Sequence, residues 1–133
     1  MNLRITFIAM TFCLIACNSN TTERLSAREY FSRFHSLAEA LRFYPGLMIS
    51  GSGNQVKVVL RKNMSLQNQE PLYVVDGFPV GNDYARTNQI LNMADVINIR
   101  LLSHSSELNT YGPGASAGVI EIRTIKTERA AMD

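Results

Sequence analysis

Glu70-Pro71-Leu72-Tyr73-Val74-Val75-Asp76-Gly77-Phe78-Pro79-Val80 carries most of the information about this chain. Leu72 to Val75 is a compact run of β-branched and aromatic residues, the composition of a strand. Asp76-Gly77 stops it with the pair preferred in a two-residue hairpin turn, whose central residues both need positive φ. Phe78-Pro79-Val80 reads as the short return strand. Its proline lacks an N–H and confines the strand to an edge or to its own end.

Downstream, Gly81 to Gln89 reads as a polar loop, followed by a brief helical piece around Gln89 to Met93. Asp95 is placed to cap the turn before the next strand. There Ile97, Ile99 and Leu101 alternate with Asn98, Arg100 and Leu102, the period of a half-buried strand. Ser105 or Ser106 starts a short helix that breaks at Gly112-Pro113-Gly114. A last strand from Gly118 to Ile125 sets Ile120, Ile122 and Thr124 against Val119, Glu121, Arg123 and Ile125. The tail from Lys126 to Asp133 is charged or small and is expected to fray.

Upstream, Gln55 to Arg61 alternates in the same way, with Val56, Val58 and Leu60 on one face. The turn cluster Gly51-Ser52-Gly53-Asn54 separates it from a short strand, Leu47 to Ser50. Before that, Leu37, Ala40, Leu41 and Tyr44 fall at helical spacing, which predicts a helix from Leu37 to Phe43 ended by Pro45-Gly46. Two Ser-x-x-Glu patterns, Ser26 with Glu29 and Ser36 with Glu39, match the capping box. Ala27 to Arg33 reads as a separate helical turn. Of the nearby aromatics, Phe34 and Tyr44 are assigned to the core, while Tyr30 and Phe31 are left open between core and partner surface. Helix, strands, short helix and strand together predict an α/β (α+β) fold. Its mixed β-sheet has about four to five strands, with two or three short helices.

The first residues read as an address. Arg4 precedes an apolar run from Ile5 to Ala16. A membrane-spanning helix needs roughly 20 residues, so this run fits a signal peptide core instead. It ends in Leu14-Ile15-Ala16-Cys17, which resembles the lipobox of bacterial lipoproteins. That resemblance implies cleavage before Cys17 and acylation of its thiol. Cys13 would leave with the signal, so no disulfide framework is expected even in an exported compartment. What remains of the 133 residues suits one domain. The formal net charge of +2 includes Arg4, and basic and acidic residues are interspersed. Nothing in that balance calls for nucleic acid.

Several motifs in one fixed order resemble the plug domain of TonB-dependent outer-membrane receptors, especially the glycan-importing, SusC-like type that pairs with a surface lipoprotein. The hairpin Pro71 to Pro79 matches that family's Pro-Leu-Tyr-Val-Val-Asp-Gly-x-Pro segment. Asp95 through Leu102 matches its Asp-Ile/Val-Glu-x-Ile-x-Val-Leu strand. Tyr111 through Ile120 matches Tyr-Gly-x-x-x-x-x-Gly-Val-Ile, and Ala40-Leu41-Arg42 with Pro45-Gly46-Leu47 matches its helix and exit. The resemblance implies four parts: a lipoprotein signal peptide at 1–16, a lipidated tether and N-terminal segment at 17–35, a plug-like domain at 36–126 and a tail at 127–133. Departures are Lys62, where the family commonly has glycine after arginine, and Asn98, where it often has glutamate. No segment near the mature N-terminus matches the short box that TonB grips. Receptors of this family close a 22-stranded barrel, on the order of 220 residues at about 10 per strand. Few residues follow Thr124, so this chain is expected not to form the pore itself.

Catalytic chemistry finds little support. His35 and His104 are the only histidines, and a zinc site needs three or four ligands at suitable spacing. Asp76 and Asp95 are explained by turn and cap chemistry. Gly112, Gly114 and Gly118 lack both the dinucleotide spacing and the lysine of a phosphate loop, so they read as backbone turns. The expectation is a non-enzymatic outer-membrane lipoprotein without a cofactor, held to the membrane through lipid on Cys17 and accessory to nutrient uptake. Its partner would be a barrel transporter or another envelope protein. Three other roles fit the same residues: a small-ligand or glycan-binding module using the loops Lys62 to Glu70 and Gly81 to Asn88, an envelope-signalling interaction domain, or a receptor remnant without a transport role.

Overall fold

The computed structural model describes residues 27–63 and 70–130. The segments expected to be a signal peptide and a tether, Cys17 between them, Ser26 of the first capping-box pattern and most of the loop before Glu70 lie outside the described residues.

The chain begins with a helical turn, α1, over 27–31. Helix α2 spans Leu37–Leu41 and is capped by Ser36, whose hydroxyl accepts from the Glu39 amide at 3.4 Å. The Glu39 carboxylate reaches back one residue further than a capping box requires and accepts from the His35 amide at 2.8 Å. Helix α2 is shorter than the predicted Leu37 to Phe43, because Arg42 and Phe43 already belong to the turn that leads to Pro45-Gly46. Strands β1 (Leu47–Ser50) and β2 (Lys57–Leu60) pair antiparallel, with Leu47 opposite Leu60. The predicted strand Gln55 to Arg61 is trimmed at both ends by 3₁₀ turns, Gly53–Gln55 and Arg61–Asn63. Lys62 therefore sits in a right-handed turn; Asp76 alone takes positive φ among the described non-glycine residues.

The main sheet has four strands: β3 (Leu72–Val75), β4 (Phe78–Gly81), β5 (Val96–Leu102) and β6 (Val119–Thr124), in the order β4-β3-β6-β5. The last strand slots into the middle. It runs parallel to β3, with Leu72 opposite Val119 and Val75 opposite Ile122, and antiparallel to β5. The sheet is thus mixed, as the pattern predicts, and the proline-bearing β4 lies at an edge.

Two apolar clusters flank the sheet. On one face Tyr73, Ile120, Ile122, Val96 and Ile99 pack with Leu37, Leu41, Val58 and Tyr84. On the other, Leu72, Val74, Leu102 and Val119 meet Ala115, closed over by Leu108 and Tyr111. A strand covered on both sides has no solvent face, which is why β6 is buried at every position except Arg123. In β5 the expected apolar set Ile97, Ile99 and Leu101 is replaced by Val96, Ile99 and Leu102 as the buried positions. A register shift between Val96 and Asn98 brings Val96 onto the Ile99 face in place of Ile97; Leu101 keeps that face half-buried, and Leu102 is buried against the opposite cluster.

Three further expectations are corrected. The stretch read as a polar loop holds helix α3, Tyr84–Ile90. It starts at Asp83, whose carboxylate accepts from the amides of Ala85 and Arg86, and buries Tyr84 and Thr87 one turn apart. The next turn is a 3₁₀ segment, Met93–Asp95, capped by Asn92 in place of Asp95. Asp95 closes that turn from its other end by accepting from the Asn92 side-chain amide at 3.2 Å. After α4 (Ser105–Leu108) and the turns around Gly112, the tail expected to fray forms α5, Ile125–Ala130.

Candidate functional site

Strand β3 is only four residues long, yet its two ends are built in opposite ways. At its C-terminal end the hairpin turn places Asp76 at φ 52 and Gly77 at φ 82. Aspartate tolerates that left-handed geometry better than most side chains, and glycine adopts it freely. So oriented, the Asp76 carboxylate accepts from the Thr124 amide at 2.7 Å and from the Thr124 hydroxyl at 2.7 Å. The Thr127 hydroxyl of α5 donates to it as well. The Asp76 amide donates to Ile122 O at 2.9 Å, so backbone and side chain both grip the strand beside them. Burial alone would push this carboxyl up. The Thr127 and Thr124 hydrogen bonds and the nearby Lys126 outweigh it and hold the group below the usual aspartate range.

At the N-terminal end of β3 the polar groups are left short. Glu70 Oε2 and the Tyr73 hydroxyl are buried and have no hydrogen-bond partner among the described residues. Burial raises the Glu70 carboxyl and Asp83 adds to the rise; the Tyr84 amide and Lys57 pull it down without cancelling it. Burial, followed by the negative potential of Glu70, Tyr84 and Asp83, pushes the Tyr73 phenol far above the ordinary tyrosine range. Beside Glu70 lies an open groove of about 480 Å³ lined also by Asn82, Pro113, Gly114 and Ser116. Asn82 straddles it: its side-chain amide donates to Glu70 O and to Gly114 O, both at 3.0 Å. That one side chain ties the end of β4 to the turn before β6.

The turn residues singled out from sequence are thereby distributed over separate places. Asp76 and Gly77 make the hairpin. Gly112 takes φ 75 with open space around it, and Gly114 borders the groove. Gly118 has φ 106, and a Cβ there would come within 2.4 Å of Leu60 Cδ2 and 3.2 Å of Leu102 O. It is the point where β2 closes onto the main sheet. No motif in the sequence marks Asn82, Thr127 or the Glu70–Tyr73 pair as site residues. Only the last leaves a trace there, a carboxylate and a phenol three residues apart at the start of an apolar strand.

On the sheet face away from α2 and α3, Glu121 is 8% exposed. Arg100 Nη1 approaches it at 3.3 Å and Arg123 Nη2 at 3.4 Å, so the buried charge is paired on both sides. Among the described residues no group of three or more histidine, cysteine or acidic side chains is placed to hold a metal. His35 and His104 stand apart and both are exposed. Among the same residues no helix is long and apolar enough to cross a membrane.

This arrangement positions backbone and closes turns. A parallel β3–β6 pair, with an Asp-Gly hairpin leading from β3 and a Tyr-Gly turn leading into β6, is a scaffold with a family counterpart. The family model of the TonB-dependent receptor plug domain matches residues 19–119. The chain belongs to that family. Among solved structures it is similar to a chain of the RagAB peptide importer in the "open-open" state, with a TM-score of 0.55 and 26% sequence identity. That likeness covers 73% of this chain and 11% of the importer chain. No curated protein matches. The family match takes in α1 and its aromatics, ahead of the Ser36 at which the sequence resemblance begins.

Proposed function

We propose that this plug domain is a lipid-anchored, non-enzymatic accessory to nutrient import at the bacterial outer membrane, docking with a barrel transporter or another envelope protein. The observation that carries the reading is the plug-family match over most of the chain, joined to a fold similar to that of an importer. The family belongs to outer-membrane receptors, so a transport-related place in the envelope follows from membership. The lipid on Cys17 and the accessory role rest on the Leu14-Ile15-Ala16-Cys17 pattern and on what a plug does. Because the similar structure is a peptide importer, peptides join glycans as the cargo class to test.

The experiment is co-purification. The tagged full chain, expressed in its host and extracted from outer membranes in mild detergent, is expected to bring a barrel protein with it in constant ratio. Recovery only as a lone monomer would contradict the docking role.

One observation favours a second reading. The groove lined by Glu70, Asn82 and Ser116, beside a buried Glu70 oxygen with no partner among the described residues, suits a small polar ligand carrying a hydrogen-bond donor. Thermal-shift measurements against oligosaccharides and short peptides separate the two. A saturable rise in Tm without any barrel protein present supports the binding module.

A further inference from the structure

Four aromatic rings meet on the side of the molecule where the described chain begins. Tyr30 packs edge-on against Phe31 at 5.3 Å and against Phe34 at 5.2 Å, and Phe34 meets Phe43 at 5.4 Å. The inner members hold the cluster in place: Phe31 is 6% exposed and Phe34 packs against the main core. The outer members do not share that shelter. Phe43 is 68% exposed and Tyr30 is 44% exposed, giving a contiguous aromatic surface anchored from below. Arg42 stands next to Phe43 and is itself exposed. Aromatic rings with one polar tip and a neighbouring cation suit the boundary between headgroups and acyl chains.

The position of this cluster along the chain names its occupant. Helix α1 starts at residue 27, ten positions after Cys17. Whatever conformation those residues adopt, ten peptide units reach no more than about 36 Å. A domain of this size has a radius of gyration of about 13 Å, so that reach is close to one domain width. A lipid on Cys17 therefore keeps α1 and its aromatics within about one domain width of the bilayer.

We propose that Tyr30, Phe34 and Phe43 form a membrane-contact surface that lays this plug domain against the leaflet carrying its lipid. The inference rests on the lipid-anchored reading above and extends it from a flexible leash to a defined orientation. With the aromatic side against lipid, the β3–β4 hairpin with Phe78 and the groove at Glu70 stay free for a protein partner or ligand.

The protein contains no tryptophan, so a single introduced tryptophan reports its own site. The full chain is purified from membranes as Phe43→Trp and, separately, as Phe78→Trp, which is exposed outside the cluster. Each is reconstituted into phosphatidylethanolamine and phosphatidylglycerol vesicles with brominated acyl chains, and the mass of the Cys17 peptide is measured in the same samples. The expected result is a blue-shifted Phe43→Trp emission that loses more than about half its intensity to bromine, as burial at the headgroup–acyl boundary requires. The Phe78→Trp emission stays red and unquenched. Equal, weak quenching of both reporters with Cys17 acylated would overturn the orientation and leave the anchor standing. An unmodified Cys17 removes the anchor and the proposal with it. A blue shift without bromine quenching shows protein covering the cluster, a second copy or another chain, and also overturns the proposal.

Discussion

The two ends of β3 carry a carboxylate each, six residues apart, and the fold treats them oppositely. Asp76 is saturated: one backbone amide and two threonine hydroxyls converge on it, and its carboxyl is held low. Glu70 keeps an oxygen with no partner among the described residues, beside a tyrosine hydroxyl in the same condition, and its carboxyl is pushed up. The difference separates a latch from a site. A saturated charge fixes geometry, here the hairpin, the end of β6 and the first turn of α5. An under-satisfied buried group stores unfavourable energy that a ligand, a partner or a proton can relieve.

Breaking the Glu70 end through its backbone gives the largest expected effect. Gly118 O accepts the Leu72 amide at 2.9 Å, and Gly118 itself admits no Cβ at φ 106 without moving Leu60 or the Leu102 carbonyl. Gly118→Ala is expected to cost about 3 kcal/mol through backbone strain and overpacking. Urea unfolding would show it as a lower midpoint at unchanged slope.

Next is the latch. Asp76→Ala removes a charged acceptor and leaves the Thr124 amide in a half-buried place without its partner. A loss of about 2 to 3 kcal/mol is expected, and Asp76→Asn, which keeps one acceptor oxygen and tolerates the left-handed turn, should lose roughly half of that. The pH dependence follows from the lowered carboxyl. The folded state holds the Asp76 proton more weakly than the unfolded chain. The stabilisation is therefore complete above the ordinary aspartate range and disappears as pH falls through the depressed folded value. Unfolding curves of wild type and Asp76→Asn should converge in acid. A gap that persists unchanged at low pH would mean the carboxylate charge plays no part.

At the other end the signs reverse. Tyr73→Phe deletes a buried hydroxyl that has no partner among the described residues and is expected to gain about 1 kcal/mol. A loss would show that the hydroxyl is bonded in solution. Glu70→Gln has the smallest expected effect, a modest rise in Tm at neutral pH. A raised carboxyl means that the folded state prefers it protonated. Its favourable contribution is complete below the ordinary glutamate range and is lost as pH rises through the folded value. The advantage of Glu70→Gln should thus grow with pH, the opposite trend to the latch variants. Melting temperatures across pH for both pairs measure the contrast directly.

Much of this arrangement is legible in the sequence. The hairpin is, because Asp76-Gly77 satisfies a turn geometry that few other pairs allow. The ends of β1 and β3 coincide with the apolar runs that predict them. Helix α3 is not legible because its signal is a cap, Asp83, followed by only two buried side chains in seven residues. The burial pattern of β5 is not legible because a local register shift leaves no compositional mark and the second cluster covers Leu102 on the other face. Helix α5 reads as a fraying tail because its charged composition says nothing of the Thr127 bond that ties it to Asp76 fifty-one positions earlier. The site-like end was least visible of all. Glu70, Asn82 and Gly114 converge only because β6 inserts between β3 and β5, and no local pattern encodes strand order.

The central claim, that this plug domain works in import against a barrel partner, is tested most directly by photo-cross-linking in the living host. A photo-reactive phenylalanine analogue at position 78, on the exposed hairpin tip beside the latch, is irradiated and its adducts identified by mass spectrometry. The account predicts a dominant adduct with one outer-membrane β-barrel protein. Adducts spread over soluble periplasmic proteins, or none at all from a well-folded, membrane-attached chain, would contradict it.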